Sequence, residues 1–209
     1  MGLVTLDLPA PAQLRGRWAA FAVVCAARGW GADCCARGSV WHFDDGGGNW
    51  VDLHHVGEGR AVMVGNDHEY SETYYGPAAE YFGEEETDLL AGAPDWWRPV
   101  VSQAMAADAY VGFVYGFDGA RWQRAEYDLA DGFLSVGLPA LNADRIHKSV
   151  VSLTRTAPGL GGAEPRTDAI DALIAADGDV TEAHVTAVIG KGGWDAAAGA
   201  AAAREFLAV

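Results

Sequence analysis

The chain has few cysteines and no long apolar run. Its 209 residues include three cysteines, Cys25, Cys34 and Cys35. Their number is odd, and they do not have the C-x-x-C spacing of redox and metal motifs. We therefore expect reduced thiols and a cytoplasmic location, because disulfides persist mainly in oxidising compartments. No apolar run approaches the roughly 20 residues of a membrane helix, so we also expect no membrane association.

Positive charge is also scarce. Lysine and arginine together number 14 against 29 acidic residues, which gives a net charge of −15. Residues 61–100 contain nine acidic side chains against Arg98 alone, so this segment carries −8 of that total. Such a field repels phosphate groups and predicts no binding to nucleic acid or anionic membranes, whereas it would steer a basic protein partner towards the chain. A solvated acidic face that maintains solubility is the alternative.

Recognisable catalytic motifs are absent. The run G-F-L-S-V-G at 132–137 is not the G-x-S-x-G nucleophile elbow, and I-G-K-G-G at 189–193 lacks the first glycine and the Ser or Thr of a phosphate loop. Neither H-x-H nor H-E-x-x-H occurs. We therefore predict no catalytic residue, and a non-enzymatic role is favoured.

Hydrophobic spacing predicts one helix near the start of the chain, over residues 11–28. Leu14, Trp18 and Cys25 recur at helical spacing, and Gly29 closes the segment. The apolar run within it also resembles a short signal sequence, but its amphipathic spacing favours a core helix.

Extended runs separated by glycine turns then predict two three-stranded meanders. These runs lie at 38–44, 49–56, 60–66, 110–117, 121–127 and 132–138. The short links exclude helical crossovers within each trio, so we expect antiparallel pairing. The predicted fold is α+β, with a mainly antiparallel six-stranded sheet from two three-stranded meanders, one N-terminal helix and a C-terminal helical tail. Whether the two meanders are a true repeat stays open.

Composition suggests the domain boundaries. Residues 1–156 are expected to form the α+β sheet domain, residues 157–166 a Gly/Pro-rich linker, and residues 167–209 a small helical appendage. In the appendage, Asp179 and Glu182 form a capping-box pattern ahead of an apolar helix.

The first hairpin offers a candidate metal site. If its two strands pair in an even register, one face is core and carries Trp41, Phe43, Val51, Leu53 and His55. The other face carries His42, Asp44, Asp52 and His54. Two imidazoles and two carboxylates on neighbouring strands can hold a divalent metal, which would make the chain a metal-dependent hydrolase. Because such histidines more often make ordinary hydrogen bonds, we predict no cofactor and keep the metal site as the alternative.

Aromatic residues are concentrated in and beside the acidic segment. Tyrosine and tryptophan among carboxylates are typical of a protein-binding hot spot that faces a cationic partner. The predicted partner-binding residues are Asp67, Glu69, Tyr70, Glu72, Tyr74, Tyr75, Glu84, Glu85, Glu86 and Trp96. The alternative is that Trp96 and Trp97 fill a gap beneath a loop, which is favoured for Trp97.

The stretch from about residue 40 to residue 70 also carries a family resemblance. Its matching features are the turn Gly48-Asn49-Trp50, the pair Asp52-Leu53, the valines Val62 and Val64, and the loop Asp67-His68-Glu69. In these features the chain resembles the SUKH superfamily. The resemblance implies an α+β domain that acts as an immunity protein and neutralises a partner such as a toxin. The acidic charge independently suits a basic partner.

Overall fold

A computed structural model describes residues 2–107 and 109–207. The strands are β1 (Leu3–Leu6), β2 (Cys34–Arg37), β3 (Val40–Asp44), β4 (Trp50–Gly57), β5 (Arg60–Asn66), β6 (Phe113–Phe117) and β7 (Trp122–Ala125). The α-helices are α1 (Pro11–Arg28), α2 (Pro77–Phe82), α3 (Arg98–Ala106), α4 (Ala143–Thr154), α5 (Thr167–Ala176), α6 (Glu182–Ile189) and α7 (Ala196–Glu205). One sheet contains all seven strands in the order β1-β7-β6-β5-β4-β3-β2, and the β1–β7, β4–β5, β5–β6 and β6–β7 pairs are antiparallel. None of the helices in these described ranges has the length and apolarity needed to cross a membrane.

The chain divides into two compact units. The strand unit comprises the described residues within 1–10 and 42–137, and the helical unit comprises those within 11–41 and 138–209. Helix α1 belongs to the helical unit because it packs against α4, α5, α6 and α7. Helix α1, near the start of the chain, therefore packs against α7, the last helix.

The strand unit builds a core over β5 and β6. Val64 lies opposite Val114 in the antiparallel ladder, and both belong to a buried cluster with Trp97 and Val101. Trp97 packs directly on Gly116, where an added Cβ would lie 2.0 Å from the ring atom Cε2. Trp97 is therefore buried, but it fills a gap that the glycine leaves on strand β6 rather than one beneath a loop.

The helical unit has an aromatic centre. The rings of Trp18 and Trp41 have centroids 5.9 Å apart, and those of Trp41 and Phe206 are 5.4 Å apart. Close approach of α7 to α1 depends on Gly199, where an added Cβ would lie 2.9 Å from the carbonyl oxygen of Val23. Helix α7 is thus fixed to α1 by backbone contact as well as by side chains.

Most of the predicted elements are confirmed. Helix α1 has the predicted bounds and is followed by Gly29 in the left-handed region, with φ of 93°. Strands β3 to β7 correspond to the first five predicted runs, and helices α5 to α7 form the predicted helical tail. The α+β class is confirmed, although the sheet has seven strands rather than six.

The predicted strand at 132–138 is wrong. The amides of Ser135 and Val136 both donate to the carbonyl oxygen of Gly132, so the chain forms turns here. Gly132 has φ of 78°, a left-handed conformation that interrupts an extended ladder. The edge of β7 pairs with β1 instead, so the second set of strands is not a consecutive meander. Strands β1 and β2 and helix α4 are additions to the predicted elements.

Candidate functional site

The His and Asp side chains of the first hairpin do not assemble into a metal site. His42 Nδ1 lies 2.6 Å from Asp52 Oδ1, whereas His54 Nε2 is 4.0 Å from Asp52 Oδ2. The Asp44 carboxylate instead accepts a hydrogen bond from the Gly46 amide in the turn. In the described part of the chain, no group of three or more His, Cys, Asp or Glu side chains is placed to hold a metal ion. The arrangement gives the alternative metal-dependent hydrolase no support.

His54 is buried, although the sequence places it on the polar face. It is 8% exposed and lies opposite Val62, which belongs to the same buried cluster as Trp97. Burial lowers the pKa of His54, and the nearby Asp52 carboxylate acts in the opposite direction. The face predicted to be polar is therefore covered at His54. The predicted core residues Trp41, Phe43, Val51 and Leu53 are buried, and His55 is half-buried.

The predicted partner-binding residues differ in their exposure. The exposed members are Glu69, Tyr70, Glu72, Glu84, Glu85 and Glu86. Tyr74, Tyr75 and Trp96 are half-buried, and Asp67 is buried. The Trp96 ring lies 5.3 Å from the guanidinium carbon of Arg60, the first residue of β5. Asp67 follows the last residue of that strand, about 23 Å from Arg60 at roughly 3.3 Å per residue. The structure therefore does not bring Trp96 to the Asp67 end of the strand.

Four aromatic rings cluster around the end of α2. The Phe82 centroid lies 5.6 Å from that of Tyr74, 4.9 Å from that of Tyr81 and 5.4 Å from that of Tyr110. Tyr81 is 73% exposed, Phe82 52% and Tyr110 41%. Glu84, Glu85 and Glu86 follow Phe82 after Gly83, and all three are exposed. We call Tyr81–Glu86 together with Tyr110 the acidic-aromatic surface.

Further carboxylates extend this charge. A cleft of about 430 Å³ is lined by Glu85, Glu86, Asp88, Glu126 and Asp128, and we call it the acidic cleft. Within the described ranges, none of these five carboxylates forms an ion pair with a basic side chain. Sequence reasoning did not associate Glu126 and Asp128 with the segment at 85–88, because only the fold brings the end of β7 beside it. The negative charge of the cleft is therefore not neutralised from within this part of the chain.

Tyr75 lies at the base of the acidic segment. Burial and the nearby Asp88 carboxylate raise the pKa of Tyr75, and Glu86 adds to this effect. The Gly76 amide donates to Glu86 Oε1 at 3.0 Å, which ties Glu86 to the residues that precede α2. The Tyr75 phenol therefore keeps its proton beside two carboxylates.

Asp67 organises the loop that follows β5. Its Oδ1 accepts hydrogen bonds from the amides of Glu69 at 3.0 Å and Tyr70 at 2.8 Å. Its own amide donates to Ser71 Oγ at 3.2 Å, and Ser71 Oγ donates to the carbonyl oxygen of Asp131 at 2.9 Å. The loop is therefore fixed to the segment where a strand was predicted to begin.

A cavity of about 320 Å³ lies beside this loop, and we call it the Asp67 cavity. Its walls include Asp67 and Thr73 together with Phe82, Tyr110 and Val111. Asp67 is 1% exposed, and no donor among the described residues reaches its Oδ2. The residue predicted as a surface contact is thus a buried carboxylate in a cavity wall.

The acidic-aromatic surface, the acidic cleft and the Asp67 cavity all lie in the strand unit. Phe82 and Tyr110 contribute to both the surface and the cavity. The sequence identified the glutamates at 84–86, whereas Phe82, Tyr110 and the cleft residues after β7 required the fold. Comparison of the chain with protein-family models, with curated proteins and with solved structures gives no match.

Proposed function

We propose that the chain is a non-enzymatic protein-binding module that docks a basic partner on its acidic-aromatic surface. The observation that carries the proposal is the run Tyr81–Glu86, in which every residue is exposed. Clustered exposed rings are typical of interaction sites, because burial against a partner would remove their apolar surface from water. Here only Gly83 separates two rings from three carboxylates, so a single patch offers apolar contact area and negative charge.

The two components of this surface have different expected roles. Burying the exposed part of the Phe82 ring would contribute about 1 kcal/mol, roughly half the value of a fully buried large apolar side chain. Carboxylates at a solvent-exposed rim contribute less to affinity and more to the association rate, because they attract a cationic partner from a distance. The rings thus account for retention of the partner, and the glutamates account for its capture.

The more specific form of the proposal is an immunity-type protein that neutralises a basic partner such as a toxin, which agrees with the resemblance of residues 40–70 to the SUKH superfamily. A carboxylate-rich surface can imitate the phosphates recognised by a basic protein that acts on nucleic acid. Cys25 and Cys34 are buried thiols, which supports the proposal that the protein works in the reducing cytoplasm.

Selection from a random peptide display library tests the function without knowledge of the natural partner. We expect the chain to enrich peptides that combine Arg or Lys with apolar residues, because the surface offers both kinds of contact. Selected peptides with no excess of basic residues over the starting library would contradict the proposal.

A pair of alanine variants identifies the surface that these peptides use. Phe82→Ala should weaken the selected peptides about fivefold, equivalent to about 1 kcal/mol. Leu134→Ala is the matched control, since Leu134 is also in the strand unit and 68% exposed but outside the acidic-aromatic surface. Equal losses in the two variants would place peptide binding elsewhere.

A further inference from the structure

Another pocket lies beside the acidic-aromatic surface, and we call it the tyrosine pocket. Its volume of about 560 Å³ is within the range of ligand sites, so a large side chain can enter it. Its lining belongs entirely to the strand unit. The lining includes Tyr75, Ala78, Glu80, Tyr81, Met105 and Tyr110.

The inner wall of the tyrosine pocket is fixed by the core. Tyr75 and Met105 are half-buried, and both pack against the buried cluster that contains Trp97. An added Cβ at Gly76 would lie 2.9 Å from Met105 Cε, so the glycine before α2 leaves space for this methyl group. The thioether of methionine is polarizable and makes favourable contacts with aromatic rings. This wall is therefore held in place before any ligand binds, and it suits a ring.

The outer wall contains two exposed rings. Tyr81 is 73% exposed and Tyr110 41%, and their centroids are 5.9 Å apart. Glu80, which precedes Tyr81 in α2, is also exposed and is the only charged residue in the described lining. The two rings leave apolar surface in contact with water at the pocket, and a ligand that covered this surface would gain free energy.

We propose that the tyrosine pocket binds one aromatic side chain of the partner, whose ring packs among Tyr75, Tyr81 and Tyr110 and against Met105. This inference rests on the proposed function and specifies the most deeply buried contact within it. Aromatic side chains often supply such contacts, because one ring buries a large area with few rotatable bonds to fix. The glutamates at 84–86 attract the partner, and the pocket binds its aromatic residue.

The lining favours an aromatic side chain over an aliphatic or a cationic one. Paired aromatic rings attract each other beyond the effect of the buried area alone, which an aliphatic side chain cannot reproduce. Rings also attract cations, but a lysine or arginine head would lose water in the pocket and would need hydrogen-bond acceptors in exchange. Glu80 is the only carboxylate in the described lining, and it is exposed. A ring does not carry this cost.

The charge around the pocket indicates which residues flank this ring in the partner. Glu80 and the three glutamates at 84–86 are exposed, and none of them forms an ion pair with a basic side chain of the described ranges. Complementary charge favours docking of the correct partner and disfavours acidic ones. The preferred segment is therefore an aromatic residue between lysines or arginines.

Methyl NMR of the full chain tests the proposal. The chain has three methionines, and ¹³C labelling of their ε-methyl groups gives one signal for each. Met105 lines the pocket, whereas Met63 on β5 is fully buried and serves as the internal control. The probes are the capped tripeptides Lys-Trp-Lys, Lys-Leu-Lys, Lys-Ala-Lys and Glu-Trp-Glu. We expect Lys-Trp-Lys to move the Met105 signal in a saturable manner through the ring current of its indole, without moving the Met63 signal.

The order of affinities identifies the occupant of the pocket. Lys-Trp-Lys should bind about threefold more tightly than Lys-Leu-Lys, because only the indole adds attraction between rings. It should bind at least about tenfold more tightly than Lys-Ala-Lys, which has no large side chain to bury. Equal binding of the tryptophan probe and either of the other two lysine probes would overturn the proposal. A Met105 signal that moves on dilution without any probe would show that a second copy fills the pocket, and would also overturn it.

Tyr81→Ala removes one ring from the outer wall. Its side chain is 73% exposed, so the fold should be retained, and an unchanged Met63 signal would verify this. Binding of Lys-Trp-Lys should weaken about threefold. Leu134→Ala is the control, because Leu134 is 68% exposed and lies outside the pocket. It should bind the probe like the unmodified chain, and equal affinities of the two variants would argue decisively against the proposal.

Two outcomes separate this proposal from the proposed function. Equal binding of Lys-Trp-Lys and Lys-Ala-Lys, with shifts confined to the amides of 84–86 in a ¹⁵N-labelled sample, would overturn the aromatic site and leave the acidic-aromatic surface intact. A saturable shift of the Met105 signal by Lys-Trp-Lys and Glu-Trp-Glu alike would support the aromatic site and would count only against the basic partner of the proposed function.

Discussion

Single atoms determine several properties of the strand unit. The missing Cβ of Gly116 makes room for Trp97, and one oxygen of Asp67 is buried without a donor among the described residues. His54 is 8% exposed and lies opposite Val62 on β5, so its imidazole is largely withdrawn from solvent. Since folded interiors have few spare voids, small changes at such positions have large effects.

Gly116→Ala tests the contact with Trp97. The added methyl group would overlap the indole ring, so the free energy of unfolding in urea should fall by about 1–3 kcal/mol. Gly2→Ala is the control, because nothing lies within 4 Å of the Cβ position there. Similar stability of the two variants would show that Trp97 does not pack on Gly116.

The buried imidazole of His54 should make stability depend on pH. Because burial lowers the pKa of His54 in the folded protein, the unfolded chain takes up the proton first as the pH falls below the ordinary value of 6.5. The free energy of unfolding should therefore decrease as the pH falls from 6.5 towards the lowered pKa. His54→Gln should reduce this decrease in urea titrations, and parallel pH profiles for the two proteins would contradict the assignment.

Elements far apart in the chain complete one another. Strand β1 covers the edge of β7, and the Glu72 amide donates to the carbonyl oxygen of Ala130 at 2.7 Å, which joins the loop after β5 to the segment after β7. In the helical unit, α7 packs closely against α1 at Gly199. In each of these contacts, the local sequence of one segment does not indicate which distant segment it packs against.

Gly199→Ala compares the effect of helix packing on stability with the effect of helix propensity. Alanine is favoured over glycine within a helix by about 1 kcal/mol, so propensity alone predicts stabilisation. We expect destabilisation by about 1–2 kcal/mol instead, because the new Cβ would lie 2.9 Å from the carbonyl oxygen of Val23. Ala201→Gly, at an exposed position of α7, should lose about 1 kcal/mol from propensity alone. A stabilised Gly199→Ala would disprove the close contact between α1 and α7.

The whole molecule is strongly acidic, but the proposed function depends on where the charge lies. Both units contain exposed carboxylates, whereas the acidic-aromatic surface and the acidic cleft occur in the strand unit. Screening in physiological salt limits electrostatic attraction to about 8 Å. Local charge should therefore determine how fast a basic partner is captured.

Two triple variants compare local with total charge. Glu84→Gln, Glu85→Gln and Glu86→Gln together should slow association of a selected basic peptide at least about threefold and flatten its salt dependence. Glu164→Gln, Glu182→Gln and Glu205→Gln remove the same charge from exposed positions of the helical unit and should have a smaller effect. Stopped-flow measurements over a range of salt concentrations distinguish these results, and equal slowing would mean that only net charge matters.

The predictable part of the fold is the part encoded by local patterns. Residues Pro11–Arg28 carry helical spacing and a terminal glycine, and the runs that form β3 to β7 are bounded by glycine turns. The run at 132–138 is about as apolar as the runs that form strands. It nevertheless forms turns, because the amides of Ser135 and Val136 donate to the carbonyl oxygen of Gly132. A short apolar run is ambiguous because its conformation depends on contacts with distant residues.

For the candidate site, the sequence by itself determined the concentration of acids and aromatic rings, since composition and order are fixed along the chain. Only the tertiary structure decided that Tyr110 joins Phe82, that Glu126 and Asp128 line the cleft, and that one oxygen of the buried Asp67 meets no donor from the described residues. The physical reason is that burial and proximity are properties of packed surfaces. Whether a carboxylate faces water or a cavity depends on which distant segments fold against it.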